Sequence, residues 1–350
     1  MALDVAVPFP VEAPYQVKAD LKRVDEDVFS NKLIVRDALA RQYLSAKLVA
    51  LANPALSAWL VQDSATESKV ITAILNTIAT VSPDLIIPIH AHAWQFLDLG
   101  LQCDLAGELH VNRLLDTIEA RCVQWLLLQN KAHRLWHCLA LSLQEDFALM
   151  HQSDRGFTAE ALHVCFPSGW SPQIKFMQDL GQIHGPVADG DRLRASTKPL
   201  AGAMVSKGPF VRYVWTLCGS DHLSEHPVLK AQRADKYQSP EYKSLEPRRE
   251  RPESESESEP EDNQLNLPTV FFRCERQITI PLAAYARSLF LIRVFVKPLE
   301  NVLHSQERAA LMSAAIESMS PASKQYKSIE HLVNPALTIC RNRLNNQRTV

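Results

Sequence analysis

Glycine is scarce in this sequence: only ten occur among 350 residues, and none cluster. A phosphate-cradling glycine loop, a GxGxxG turn, a GxSxG elbow and an HExxH pair are all missing. ATP-dependent and Rossmann-type nicotinamide-binding functions therefore lose most of their sequence support. An excess of one charge is lacking too, because 37 Lys and Arg stand against 39 Asp and Glu, a formal net charge of -2. The basic residues are scattered, so nothing predicts binding to nucleic acid or to an anionic membrane surface. No apolar run is long enough to span a membrane, since residues 278–296 are interrupted by Arg287 and Arg293. The first residues carry Asp4 and Glu12, where a signal peptide needs a basic start and an unbroken apolar core. Seven cysteines without paired short spacings argue against a disulfide scaffold and for a reducing compartment. The expected location is cytoplasmic.

What the chain does have is apolar periodicity, with 46% apolar residues and enough length for an ample core. Residues 1–20 read as an extended arm and residues 21–345 as a single α+β domain. Leu33, Val35, Leu39, Tyr43, Leu44, Leu48 and Leu51 recur at intervals of three and four, which predicts helix up to the break at Asn53-Pro54. Residues 68–81 and 112–150 predict further helices. The later half of the second is apolar around most of its circumference and predicts a buried helix carrying Gln144-Glu145-Asp146. From Phe157 the texture changes, and alternation over residues 162–166, 210–217, 271–280 and 288–296 predicts strands. Helix returns from Ser305. The expected architecture is a helical N-terminal half packed on an antiparallel or mixed sheet. Residues 246–262 are acidic, of low complexity and without apolar side chains, which predicts a disordered loop. Ser254, Ser256 and Ser258 each have a glutamate three residues on, an acidic context in which phosphorylation would add charge.

Few residues can carry chemistry on spacing alone. Ser171-Pro172 predicts the start of a helix that Gly185-Pro186 ends, presenting His184 at its terminus. A histidine there can reach a pocket as a ligand, or simply cap the last helical carbonyls. Glu145, Asp146, Glu275, Arg273, Arg276 and Arg293 lie in apolar stretches, where lone charges are costly and pairing is expected. The pairing could be a structural network tying helix to sheet. Alternatively, the arginines could hold carboxylates of a cofactor and a carboxylate could anchor a cationic amine. His90-Ala91-His92 has a strand spacing that metals use, but no third ligand is identifiable. His133 and His137 lie one helical turn apart beside Trp136, which favours packing. His222 and His226 sit in a polar turn and could line a substrate mouth. Cys165 and the other cysteines read as small buried apolar residues.

Several motifs, in order along the chain, resemble one family. These are Pro14-Tyr15 with Leu21-Lys22-Arg23-Val24-Asp25, then Gln144-Glu145-Asp146, then Pro167-Ser168-Gly169-Trp170-Ser171-Pro172-Gln173-Ile174-Lys175. Ile183-His184-Gly185-Pro186-Val187, Arg273-Cys274-Glu275-Arg276-Gln277 and the strand over residues 288–299 follow. Together they resemble the alpha subunit of haem-dependent oxidative N-demethylases. The chain departs from the pattern at Phe176-Met177-Gln178, at Arg212-Tyr213-Val214-Trp215, at Pro281 and in the acidic insertion. The resemblance implies a PAS-like sheet and a haem-dependent monooxygenase, an oxidoreductase that demethylates a small secondary amine and releases formaldehyde. It implies b-type haem, dioxygen and a separate flavin and iron–sulfur reductase as cofactor and partners. Through it, His184 is the expected axial iron ligand. Lys175, Arg212, Arg273, Arg276 and Arg293 are the expected cofactor-holding cations, and Glu145, Asp146 and Glu275 the expected catalytic carboxylates. A non-catalytic haem or ligand sensor, or an interaction protein on the same fold, is the alternative the residues leave open.

Overall fold

The computed structural model describes residues 5–60, 64–154, 156–238 and 269–345. Eleven strands lie among them: β1 (Lys22–Arg23), β2 (Ala58–Leu60), β3 (Ile86–His90), β4 (Ala93–Phe96), β5 (Leu101–Asp104), β6 (Leu109–Val111), β7 (Asp146–Ser153), β8 (Gly156–His163), β9 (Phe210–Cys218), β10 (Phe271–Leu282) and β11 (Arg287–Pro298). They form a seven-stranded sheet in the order β1-β9-β10-β11-β7-β8-β2 and a four-stranded sheet in the order β3-β4-β5-β6. Every pairing is antiparallel, so the chain has an α+β fold.

The long hairpin β10–β11 is the spine of the large sheet. Its twelve paired positions run from Phe271↔Pro298 to Leu282↔Arg287 and are dense in β-branched and aromatic residues, which suit a pleated surface. One face of the sheet is a dry core. Phe147, Leu149, Ile278 and Leu291 pack there against Tyr43, Leu48, Ile74 and Leu139 from the helices of the first 142 residues. Further along, Trp215, Phe272 and Phe295 pack against Met312, Ile316 and Leu332 of the C-terminal helices. The described part of the N-terminal arm runs along this second cluster. Phe9 lies 5.7 Å from Phe272 between ring centroids, and Tyr15 meets Trp215 edge-on. The opposite face is less filled. Ala148, Met150, Ala159 and Leu162 look out from β7 and β8 toward Ala201 and Met204 of helix Thr197–Ser206.

The structure corrects several expectations. Residues 112–150 are not one helix: Thr117–Leu127 and Arg134–Ser142 are helical, and the chain then becomes β7. Gln144-Glu145-Asp146 therefore sits at a helix-to-strand junction. β7 is covered on both faces, so its residues are apolar without alternation and imitate a buried helix. Between residues 25 and 60 the α-helix covers only Ala40–Ala50. The N-terminal half also holds the four-stranded sheet, which buries Trp94, Phe96, Leu101 and Cys103. His90 ends β3 while His92 lies in the following turn, so the two are not on one strand face. Among the described residues no group of three His, Cys, Asp or Glu is arranged to hold a metal ion. All seven cysteines are buried and none is in a disulfide. The acidic stretch and its three serines lie outside the described residues.

Candidate functional site

The expected single helix from Ser171 to His184 is two short helices, Pro172–Lys175 and Leu180–His184. Between them Met177 takes a left-handed φ of 60°. Its N–H donates to Ala159 O at 2.9 Å, while Ala159 N–H donates to Gln178 O at 3.1 Å. This two-way bond pins the connector to β8 along the edge that faces away from β7 at Ala159. Asp179 then caps the second helix, accepting from Gly181 N–H at 2.7 Å and Gln182 N–H at 3.0 Å. The Gln182 side chain accepts from Asp179 N–H in return, completing a capping box. Past the helix, Asp189 accepts from Ser320 and Ser323, at 2.5 and 2.7 Å. The His184 segment is thus tied to the sheet on one side and to the C-terminal helices on the other.

Between this segment and the less-filled face of the sheet lies a cavity of about 1640 Å³, largely apolar, with His184, Lys175, Arg212, Arg273 and Glu275 on its walls. Ala148, Met150, Ala159 and Leu162 are among the lining residues, the two alanines leaving room on adjacent strands. Trp170, Ile183, Leu193 and Met204 contribute to the apolar lining.

His184 donates its Nδ1–H to Leu180 O at 2.8 Å. Burial drives its pKa down to about 4, helped by the cationic Arg212 and Lys175 and opposed by the Leu180 bond. The ring is therefore neutral at neutral pH, protonated on Nδ1, with the Nε2 lone pair free of any described protein donor. Lys175 donates to Ile183 O at 2.9 Å, one residue from His184. Arg212 has its Nε buried without a hydrogen-bond partner. Glu275 accepts from the hydroxyl of Ser168 and, at 2.8 Å, from Gln277 Nε2. Arg273 is already engaged, donating to Ser168 Oγ at 2.7 Å, Phe166 O at 2.8 Å and His222 O at 3.3 Å.

The other four expected site residues lie elsewhere. Arg276 points to the dry face, donating to Ser30 O at 2.9 Å, Lys32 O at 2.6 Å and Tyr213 Oη at 3.1 Å beside the carboxylate of Asp27. Arg293 pairs with Asp37 at 2.7 Å and stacks 3.7 Å over the Tyr43 ring. Asp146 accepts from Phe166 N–H at 2.7 Å and faces Lys47 at 3.5 Å, and Glu145 accepts from Val35 N–H at 3.2 Å. These four stitch the helical layer to the sheet and do not line the cavity. Strand parity explains the split: Glu275 and Gln277 share a face with Arg273, while Arg276 shares the other with Ile278.

Sequence reasoning missed Lys327. It is half-buried at the cavity wall, donates to Trp215 O at 2.8 Å and is pushed down to about 8 by desolvation. It follows a short helix, Pro321–Tyr326, in a pattern that carries no signal of a distant cavity. His222 also reaches the cavity wall, while His226 is buried and meets Gln173 at 3.3 Å. His137 and His163 contact each other at 3.2 Å inside the dry core.

Fold and site together define an α+β protein with a large, mostly apolar ligand cavity that has the neutral imidazole of His184 and charged side chains of both signs on its walls. Residues 105–337 match the model of the family described as haem-dependent oxidative N-demethylase, alpha subunit-like, and the chain belongs to that family. The family's description names haem dependence and oxidative N-demethylation. No curated protein matches the chain. Among the described residues no helix is long and apolar enough to cross a membrane.

Proposed function

We propose that this cavity would hold a b-type haem with His184 as the residue binding its iron, and that the protein oxidatively N-demethylates a small secondary amine. The arrangement of His184 carries this reading. An iron-ligating imidazole is ordinarily neutral, with its other nitrogen donating to a backbone carbonyl or carboxylate that fixes tautomer and orientation. His184 has that form through Leu180 O. The residues around it suit the group. The cavity exceeds the roughly 300–1,000 Å³ of ordinary small-molecule sites, leaving room for a macrocycle and a small substrate together. Its alanine-lined floor accepts a flat apolar body. Lys175, beside His184 and with two ammonium hydrogens beyond its bond to Ile183, is the cation we assign to the haem carboxylates.

Haem held there would supply the activation of dioxygen; overall, an N-methyl C–H bond, dioxygen, two electrons and two protons would give a carbinolamine and water. The resulting carbinolamine releases formaldehyde and the shorter amine. Glu275, held by Ser168 and Gln277, anchors the ammonium form of the substrate with its remaining lone pairs. The apolar walls restrict water around the reacting carbon. Electrons come from a separate flavin and iron–sulfur reductase. The seven buried cysteines, none in a disulfide, suit a reducing, cytoplasmic setting.

The test is turnover by haem-reconstituted protein with a generic ferredoxin-type electron donor, dioxygen and dimethylamine. The expected result is formaldehyde released in equal amount to amine consumed, and none without haem. Tight haem uptake with no formaldehyde from any secondary amine would contradict the enzyme and favour a haem sensor.

A further inference from the structure

Arg212 is the cavity cation with a buried donor that the protein leaves unsatisfied. Its side chain is half-buried, its Nε is buried without a hydrogen-bond partner, and desolvation pulls its pKa down although Glu275 and Asp20 act to raise it. A buried guanidinium N–H is costly unless an acceptor meets it. Register places Arg212 opposite Gln277 and Val214 opposite Glu275, so Arg212 and Glu275 are diagonal neighbours on the cavity face of adjacent strands. Diagonal neighbours sit about 7–8 Å apart at the backbone. The two are close enough to feel each other electrostatically, yet they form no ion pair. Gln277 instead donates to Glu275, holding the carboxylate in place.

The charge balance of the cavity adds to this. Arg212, Lys175, Arg273 and Lys327 line it as cations and Asp20 and Glu275 as carboxylates, so a ligand meets charges of both signs. A plain alkylammonium could meet a carboxylate but would leave Arg212 Nε without a partner. A molecule bearing a carboxylate beside its amine would bring no net charge and could satisfy both strands' side chains at once.

We propose that the substrate is an N-methylated amino acid, with its carboxylate on Arg212 and its ammonium on Glu275. The planar fork of Arg212 suits bidentate capture of a carboxylate, and a small α-amino acid places its two charges within the gap the pair leaves open. The methyl chemistry rests on the N-demethylase reading above, while the zwitterion site stands on Arg212 and Glu275 alone. The anion on Arg212 has two candidate sources, the substrate's carboxylate or a haem carboxylate, and the experiment separates them.

Full-length protein, with and without reconstituted haem, is titrated calorimetrically with N-methylglycine, dimethylamine and acetate. Haem content per chain is read from absorbance on the same samples. N-methylglycine is expected to bind at least about 10-fold more tightly than dimethylamine, and acetate to compete with it. A hydrogen bond to a charged group contributes about 1.5–3 kcal/mol. Arg212→Gln should therefore weaken N-methylglycine by about 10- to 100-fold while leaving dimethylamine no weaker, and Arg212→Lys should fall between. Dimethylamine binding as tightly as N-methylglycine to the unaltered protein would overturn the proposal, and that comparison needs no variant to fold. Arg212→Gln that loses haem while keeping its preference for N-methylglycine would assign the residue to the haem and overturn it too. N-methylglycine binding with the expected selectivity to a protein that takes up no haem would uphold the zwitterion site while defeating the haem reading.

Discussion

Arg273 Nε lies 2.7 Å from Ser168 Oγ, and the Ser168 hydroxyl in turn donates to Glu275. One serine on the loop before the His184 segment thus bridges an arginine and a carboxylate on β10. Replacing it with alanine leaves the Arg273 Nε without its acceptor inside the protein and frees Glu275 to move. Ser168→Ala should cost about 1–3 kcal/mol of stability. A lowered urea midpoint with an unchanged slope would show it; an unchanged midpoint would mean the bridge contributes nothing.

Arg276 separates structural from cofactor roles. It is almost fully buried, and its guanidinium meets backbone oxygens of Ser30, Lys32 and Leu33 together with Asp27 and Tyr213. Arg276→Ala strands the buried Asp27 carboxylate and should destabilise the fold by roughly 3–5 kcal/mol. Because the side chain lies on the dry face, haem taken up per folded chain should stay the same. Loss of haem from protein that remains folded would place Arg276 in the cofactor site.

The pH dependence follows from three desolvated histidines, His137 and His163 buried in the core and His184 half-buried at the cavity. Burial holds His184 down to about 4 and His137 down to about 3, and keeps His163 well below its ordinary value. In the unfolded chain each titrates near 6.5. Below that pH the unfolded state binds more protons, so these groups favour folding fully above about 6.5 and progressively less as pH falls toward 4. His184 alone accounts for about 3 kcal/mol at the acid limit. Haem-free His184→Gln should therefore lose less stability than the parent between pH 6.5 and 4, as measured by chemical denaturation at each pH. Identical pH slopes would refute the desolvated neutral imidazole.

Ala148 tests the floor of the cavity. It lies between Phe290 and Leu162 in register, and its methyl faces the open volume. Ala148→Phe projects a ring into that space with little disturbance to the dry core on the other face. Haem uptake should fall several-fold while the melting temperature stays near the parent's. A parent-like haem stoichiometry would place the macrocycle elsewhere.

Much of this was legible in the sequence where local pattern and tertiary environment agree. The strands of β9, β10 and β11 show themselves through β-branched and aromatic alternation, and residues 68–81 through helical spacing. Pattern failed where burial erases periodicity. The run through residues 135–150 is apolar on all sides because helix Arg134–Ser142 and β7 are both enclosed, so nothing marks the junction at Leu143. β3 to β6 were missed because they are three to five residues long, and β3 contains Pro88. His184, Lys175, Arg212, Arg273 and Glu275 were nominated by motif resemblance, and folding brings them to one cavity. Arg276 and Arg293 were grouped with them because sequence adjacency cannot show which face of a strand a charge takes. Lys327 was invisible, being delivered to the cavity by the packing of the C-terminal helices.

The measurement that bears most directly on the account is the visible absorption spectrum of haem-reconstituted protein beside His184→Ala, with and without added imidazole. The account predicts a Soret band in the parent, a lost or shifted band in the variant, and its return when free imidazole fills the place of the missing ring. A parent band that His184→Ala leaves unchanged would contradict axial ligation by His184, and a parent without any Soret band would contradict the haem site itself.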